Sequence, residues 1–219
     1  AVGLGGGALV VAGIGHDERA STEAHSIGQA ERQDPGAVDP DLATAAVAVE
    51  AILGDAGQLE THLGTYKARR DANAPPQLVE RYLYVLGAFR RPELVARVLQ
   101  TLDSGEVAPQ AVGPILRGML SEPHSARAAW AFLTSRWDTL KARLGEAWTG
   151  ILVEGTGEVP VDLAPEVIRF WDANLGGSAQ QSYARAKERL ATRREFESRV
   201  VPRIAAWARE LASLQVAQR

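Results

Sequence analysis

Cysteine is absent from the 219-residue chain, which excludes a disulfide framework and a zinc site built on thiolates. An excess of basic charge is absent too, since 24 Lys and Arg residues stand against 27 Asp and Glu and the net charge is −3. Nucleic acid is therefore not an expected partner, because phosphate binding needs a concentrated basic surface. The apolar segment 1–14 is interrupted by glycines, is too short to span a membrane and lacks the basic flank of a signal peptide. We accordingly predict a cytoplasmic protein with neither a membrane nor a nucleic acid as its partner.

Catalytic motifs are missing as well. No histidine begins the His-Glu-x-x-His spacing of zinc proteases, and no Gly-x-Ser-x-Gly elbow occurs. We expect the four histidines, with His62 partly buried, to lie at the surface or its boundary: His16, His25, His62 and His124. Residues 3–8 match a glycine-rich dinucleotide loop, but that loop must follow a strand, and here helices follow. The sequence thus predicts no catalytic, cofactor-binding or metal-ligating residue.

The chain does contain apolar residues at the spacing of amphipathic helices. Leu and Ala are abundant, β-branched runs are short, and Asp39 followed by Pro40 is typical of a helix start. Helix pairs recur about every 30–40 residues, as they do in HEAT and armadillo repeats. We predict an all-α fold, namely a right-handed α-solenoid of antiparallel helix pairs with about ten to twelve helices, forming one domain over residues 1–219. Residues 1–15 are interpreted as a frayed or truncated first helix, so we expect a piece of a longer polypeptide.

An aromatic face lies in the middle of the chain. Five residues follow one another there at spacings of three and four: Trp130, Leu133, Trp137, Leu140 and Leu144. They share one face of a helix predicted from Ser125 to Leu144. Because this helix is one of a series of helical hairpins, we interpret the two indoles as a packing seam between helices that touches no substrate.

The last helix pair, predicted over about 179–193 and 194–216, carries the most regular apolar series of the chain. Its members recur every three or four residues: Phe196, Val200, Ile204, Trp207, Leu211 and Leu214. Pro202 lies within this series, and we expect it to kink the helix or to mark where the helix begins.

Several segments together resemble a known family. They are residues 34–42, 82–95, 104–110, 127–133 with the Arg136-Trp137 pair that follows, and 202–207. In their order and spacing they resemble the C-terminal helical domains of zinc aminopeptidases, namely the puromycin-sensitive and endoplasmic-reticulum enzymes and their bacterial counterparts. The resemblance extends from about residue 14 to residue 207. Two features depart from the family pattern, the glycine-rich start and Arg136, where an Asn often precedes the Trp.

The resemblance implies a domain that closes over the zinc site of a larger enzyme and walls its substrate cavity. Such a domain is non-catalytic by itself. The zinc-binding helix and the Gly-Ala-Met-Glu-Asn segment of these enzymes are absent from the chain, so zinc is expected only in a separate catalytic domain. The expected partners are that domain and a peptide substrate. Arg81, Arg97 and Arg117 lie on or beside the polar faces of successive hairpins and are the expected peptide-facing residues, because Arg pairs well with a carboxylate.

Two other functions remain open. A stand-alone HEAT-like scaffold would bind a protein or peptide partner, and no protease domain would be encoded upstream of it. A nucleic-acid-binding helical array would need a basic inner surface, which the acidic balance disfavours. The sequence of the upstream open reading frame distinguishes these two hypotheses, because a protease domain is expected there only for the aminopeptidase domain. Zinc-dependent release of N-terminal residues by this chain alone would contradict a non-catalytic domain.

Overall fold

The computed structural model describes residues 18–217, and helices account for most of them. The α-helices of this part are α1 (Glu18–Gln33), α2 (Pro40–Leu53), α3 (Ala56–Asp71), α4 (Pro76–Tyr84), α5 (Pro92–Ser104), α6 (Pro109–Ser121), α7 (Ala126–Ser135), α8 (Trp137–Leu144), α9 (Glu146–Thr156), α10 (Ala164–Asn174) and α11 (Gln180–Ala217). Short 3-10 helices cover Val85–Ala88, Val161–Leu163 and Gly177–Ala179. Residues 18–217 contain no strand, so the predicted all-α fold and its helix number are confirmed. The predictions for residues 1–15 and for His16 lie outside the described residues.

Contacts between helices progress along the chain. Helix α1 packs on α2, α3 on α4, α6 on α7, and α9 on both α6 and α11. The buried apolar residues form one cluster that extends from Val47 in α2 to Leu190 in α11. This arrangement is consistent with a solenoid-like fold. Its right-handed sense, its antiparallel pairing and its single-domain organisation stay predictions.

Short-range chemistry determines where several helices begin. The Asp39 carboxylate accepts hydrogen bonds from the backbone N–H groups of Asp41 and Leu42 at 3.0 and 3.1 Å. Pro40 is the first residue of α2, so the predicted helix start is confirmed. Asp55 caps α3 in the same way. Prolines also begin α4, α5 and α6, where the missing N–H has no partner to lose.

Helices α6 and α9 approach each other closely at two glycines. A Cβ atom at Gly113 would lie 2.4 Å from the ring of Trp148, and one at Gly155 would lie 3.1 Å from the Cα of Arg117. Any larger residue would therefore push the two helices apart in a closely packed interior. Helix α9 thus packs closely on α6, and it also packs on α11.

The aromatic face is buried between α7, α8 and α10. Trp130 and Trp137 both meet Phe170 and Trp171 edge to face, with ring centroids between 5.1 and 6.4 Å apart. The Trp130 indole N–H also donates to Glu166 at 2.7 Å. Such edge-to-face packing is favourable because a positive ring edge meets a negative ring face. The predicted packing seam is confirmed.

Two helix boundaries differ from their predictions. The single helix predicted from Ser125 to Leu144 is wrong, because Arg136 adopts φ −114° and ψ 11° and separates α7 from α8. The break redirects the chain between Trp130 and Trp137, so that both indoles reach the same ring pair on α10. Conversely, the two helices predicted over 179–216 are one continuous helix, α11. Pro202 lies inside it at an exposed position, where water can satisfy the backbone carbonyl that loses its N–H partner.

Two side chains lie where the apolar pattern does not place them. Leu42 is half exposed on α2, and the buried face of this helix consists of small residues, Val47 and Glu50. His62 was expected near the surface but is completely buried, because it pairs with the buried Glu50.

Within residues 18–217, no helix is both long enough and apolar enough to cross a membrane.

Candidate functional site

Arg81, the first of the three expected peptide-facing arginines, points into the protein. Its Nη1 donates to the carboxylate of Glu31, and its Nε donates to Thr44 Oγ1 at 3.2 Å. The Arg81 side chain is almost completely buried in this ion pair. It is therefore already engaged by its own chain, and a peptide could recruit it only by breaking that pair.

Arg97 belongs to a partly exposed ion-pair group between α3 and α5. Its Nε donates to Glu60 at 3.0 Å, and its Nη1 donates to Glu106 at 2.8 Å. Lys67 approaches the other carboxylate oxygen of Glu106 at 2.7 Å. These hydrogen bonds, from Arg97 first and Lys67 second, lower the pKa of Glu106 to about 2. Arg97 thus connects two helices across the surface.

Arg117 lies in a third environment, on the exposed side of α6. Its guanidinium forms no ion pair with the residues that the structure describes, and its stem packs against Gly155 of α9. The three arginines therefore differ in how far their charges are already paired, and their contact with a peptide stays a prediction. Among them, Arg117 is the one whose charge is available to a ligand.

The largest group of interacting charges is buried among α1, α2, α3 and α4. We call it the ionic cluster and define it by seven residues: Glu31, Arg32, Glu50, His62, Arg69, Arg81 and Tyr82. Glu31 is one of its two centres. Arg69 binds the two Glu31 carboxylate oxygens at 2.8 and 3.1 Å, and Tyr82 donates its hydroxyl at 2.5 Å. With Arg81 as a further donor, this carboxylate joins three helices.

Glu50 is the second centre of the ionic cluster. Arg32 binds both of its oxygens at 2.8 and 3.0 Å, and His62 Nε2 lies 3.1 Å from Oε2. The exposed His25 approaches the same carboxylate at 3.3 Å. A Cβ atom at Gly28 would lie only 2.5 Å from Glu50 Oε2, so glycine is what allows α1 to pass over the carboxylate. His62 Nδ1 has no hydrogen-bond partner among the described residues.

Both buried carboxylates are held in the ionised state. Burial alone would raise the pKa of Glu31, but the hydrogen bonds of Arg69 and Tyr82 and the charges of Arg69 and Arg81 bring it below its ordinary value. Burial likewise opposes ionisation of Glu50, and the hydrogen bonds of His62 and Arg32 lower its pKa overall. Burial and the contact with Glu31 raise the pKa of Tyr82, which therefore stays protonated. In the cluster, two ionised carboxylates are thus held by three guanidinium groups.

The zinc implied by the family resemblance does not fit the ionic cluster. Glu50 with His25 and His62 has the donor types of a metal site, but Arg32 occupies both carboxylate oxygens. Its positive charge would oppose a cation at that position. In residues 18–217, no group of three or more His, Cys, Asp or Glu side chains is arranged to hold a metal ion.

The ionic cluster is not indicated by any motif of the sequence. Glu31 follows the buried Ala24 and Gly28 at helical spacing, and Glu50 likewise follows Ala43 and Val47. A carboxylate in register with a face of small residues is the signal that could have indicated burial. It is a weak signal, because most Glu side chains in such positions remain solvated.

Glu106 provides a prediction for acid stability. Its folded pKa of about 2 lies below the ordinary value of 4.5, so its stabilising contribution is present above pH 4.5 and is lost as the pH falls toward 2. Glu106→Gln is expected to remove part of this pH dependence, and to cost no more than about 1 kcal/mol at neutral pH because the ion pair is partly exposed. Urea unfolding measured across this pH range tests it. Glu188→Gln, at an exposed position of α11, is the control and should leave the slope unchanged.

Comparison with known families adds one finding. The sequence model described as ERAP1-like C-terminal domain matches residues 7–192. The match contains helices α1 to α10, the whole ionic cluster and the aromatic seam, and it ends within α11. It thus covers most of the chain.

Proposed function

The chain belongs to the ERAP1-like C-terminal domain family, and we propose that it walls the substrate cavity of a zinc aminopeptidase. In this proposal it helps to select and hold peptides whose N-terminal residue is removed by a separate catalytic domain, which carries the zinc. We also propose a cytoplasmic location. The observation that carries the function is the family match over residues 7–192, which agrees with the resemblance of the individual helical segments.

The chemistry of the described residues supports a role in binding. Among these residues, the buried carboxylates Glu31 and Glu50 are paired with arginines, and the one fully buried histidine, His62, contacts Glu50. No metal-ligating group occurs between residues 18 and 217. A layered helical body of this kind offers a rigid wall, and rigid surfaces hold flexible peptides at a lower entropic cost than mobile ones.

The proposal can be tested on the enzyme that carries this chain. Enzyme with and without the present domain is assayed on a short aminoacyl reporter and on peptides of graded length. Without the domain, we expect reporter hydrolysis to continue and the dependence of kcat/KM on peptide length to disappear. The isolated 219-residue chain is expected to hydrolyse neither substrate. An unchanged length dependence after removal of the domain would contradict the proposal.

Arg117 gives a more local prediction. In the complete enzyme, Arg117→Glu is expected to lower kcat/KM roughly tenfold for peptides that end in a free carboxylate, since an attractive charge contact becomes repulsive. The same peptides with an amidated C-terminus should be cleaved equally by the two enzymes. Arg169→Glu, at an exposed position of α10, is the matched control. Equal losses for free and amidated peptides would show that Arg117 does not bind the carboxylate.

A further inference from the structure

Helix α11 carries an apolar face that the described part of the chain leaves uncovered. Among residues 19–210, Leu190 is the last that is buried in the core, yet α11 continues to Ala217. Beyond the core, Phe196 and Trp207 are each 60% exposed, and Ile204 is 56% exposed. Such a concentration of large exposed apolar side chains is typical of an interaction surface.

The spacing on this face is that of a two-helix seam. Val200, Ile204 and Trp207 follow at intervals of four and three residues, and in the sequence Leu211 and Leu214 continue the intervals of four and three. A sustained alternation of this kind keeps one narrow stripe facing a partner helix along the whole contact. Val200, Arg203, Ile204 and Trp207 line a shallow groove on the exposed surface. A helix with the same pattern is the shape that fits it.

The charges beside the stripe identify the partner. When a second copy of α11 runs antiparallel, with Ile204 packed beside Trp207 of the other copy, Arg203 lies opposite Glu210 of the other copy. The contact is repeated by symmetry, so two such pairs form. On the other flank of the seam, Val201 lies opposite Ala208, which is an apolar pair. In a parallel pair Arg203 would instead face Ala208, and the charge match would be lost.

The position of the folded bodies favours the same orientation. In the antiparallel register the two α11 helices overlap over roughly 24 residues, and the two Leu190 positions are about 45 Å apart along the helix axis. The bodies therefore lie at opposite ends of the paired segment. Pro202 is then on the outer side of the pair, away from the seam, where its missing N–H does not affect the contact.

We propose that the exposed apolar face of α11 is an interface between two copies of this chain, paired antiparallel through Ile204 and Trp207 and flanked by Arg203–Glu210 ion pairs. The interface uses the part of α11 that lies beyond the family match, which ends at residue 192. Dimerisation would therefore be a property of this chain in addition to its domain function.

Charge reversal tests the register. Sedimentation equilibrium of the 219-residue chain is expected to show a dimer, and Arg203→Glu or Glu210→Arg alone should raise the dissociation constant roughly tenfold or more, since two contacts become repulsive. The double variant should restore dimerisation. Arg209→Glu, on the outer side of the helix, is the control and should have no effect.

Cysteine cross-linking gives an independent test, since the chain has no cysteine of its own. A mixture of Arg203→Cys and Glu210→Cys chains should form a disulfide between the copies on oxidation, whereas Ile204→Cys alone should cross-link only in a parallel pair. A chain that is monomeric at all concentrations would overturn the proposal. So would a dimer without rescue by the double charge reversal. A monomeric longer enzyme would show that another domain covers the face, and would overturn it equally.

Discussion

Glu31→Gln is expected to lower the free energy of unfolding by about 3–5 kcal/mol, because it leaves buried arginines without their counter-charge. Glu31 is fully buried and accepts hydrogen bonds from Arg69, Arg81 and Tyr82. Since Gln has nearly the same size as Glu, the substitution removes charge and leaves the packing almost unchanged. In a chain of this length the loss corresponds to a melting temperature lower by roughly 10 °C. Urea unfolding followed by far-ultraviolet circular dichroism measures it.

A control on the same helix and a second variant make this prediction specific. Glu23→Gln, at an exposed position of α1, should change the free energy of unfolding by no more than about 0.5 kcal/mol. The double variant Glu31→Gln with Arg81→Gln should lower the free energy of unfolding by less than the sum of the two single variants. Each substitution removes a charge that the other would leave unpaired. Additive losses, or equal effects at positions 23 and 31, would mean that the ion pairs do not stabilise the fold.

The ionic cluster marks the limit of what the sequence could predict. The partners of Glu31 lie 38 to 51 positions further along the chain, in α3 and α4. A local apolar pattern contains no information about contacts at that separation, and it assigns a Glu to the solvent side of a helix. Helix α1 itself has Ile27 as its only large aliphatic side chain, so no apolar stripe indicated it. Its buried face is made of small residues and one carboxylate.

The apolar faces of α7, α8 and α11 show what a local pattern does establish. In both regions the spacing correctly indicated amphipathic helices, since it depends only on helix geometry. The pattern does not say what covers the face, however. Trp130 and Trp137 find a partner within the chain on α10, whereas Trp207 finds none among the described residues. The same kind of signal thus belongs to the core in one case and to a surface in the other.

Trp171→Ala is expected to be the most destabilising change in the C-terminal half of the chain, with a loss of about 3–5 kcal/mol. Trp171 is fully buried, and its ring contacts those of Trp130, Trp137 and Phe170. Its indole N–H also donates to the Thr156 hydroxyl at 3.1 Å. Removing the ring leaves a cavity at the point where α7, α8, α9 and α10 meet. The near-ultraviolet circular dichroism signal should fall together with the stability, because the remaining rings lose their fixed packing.

Two further tryptophan variants separate packing from mere aromatic content. Trp171→Phe keeps a ring in the seam but removes the indole donor, so the loss should be smaller than that of Trp171→Ala and should include about 1 kcal/mol for the Thr156 hydrogen bond. Trp207→Ala, measured where the chain is monomeric, should change the stability by less than about 0.5 kcal/mol, since the ring makes no core contact. It should nevertheless abolish self-association. A large loss of monomer stability at Trp207 would place that ring in the core and contradict its role as an interface residue.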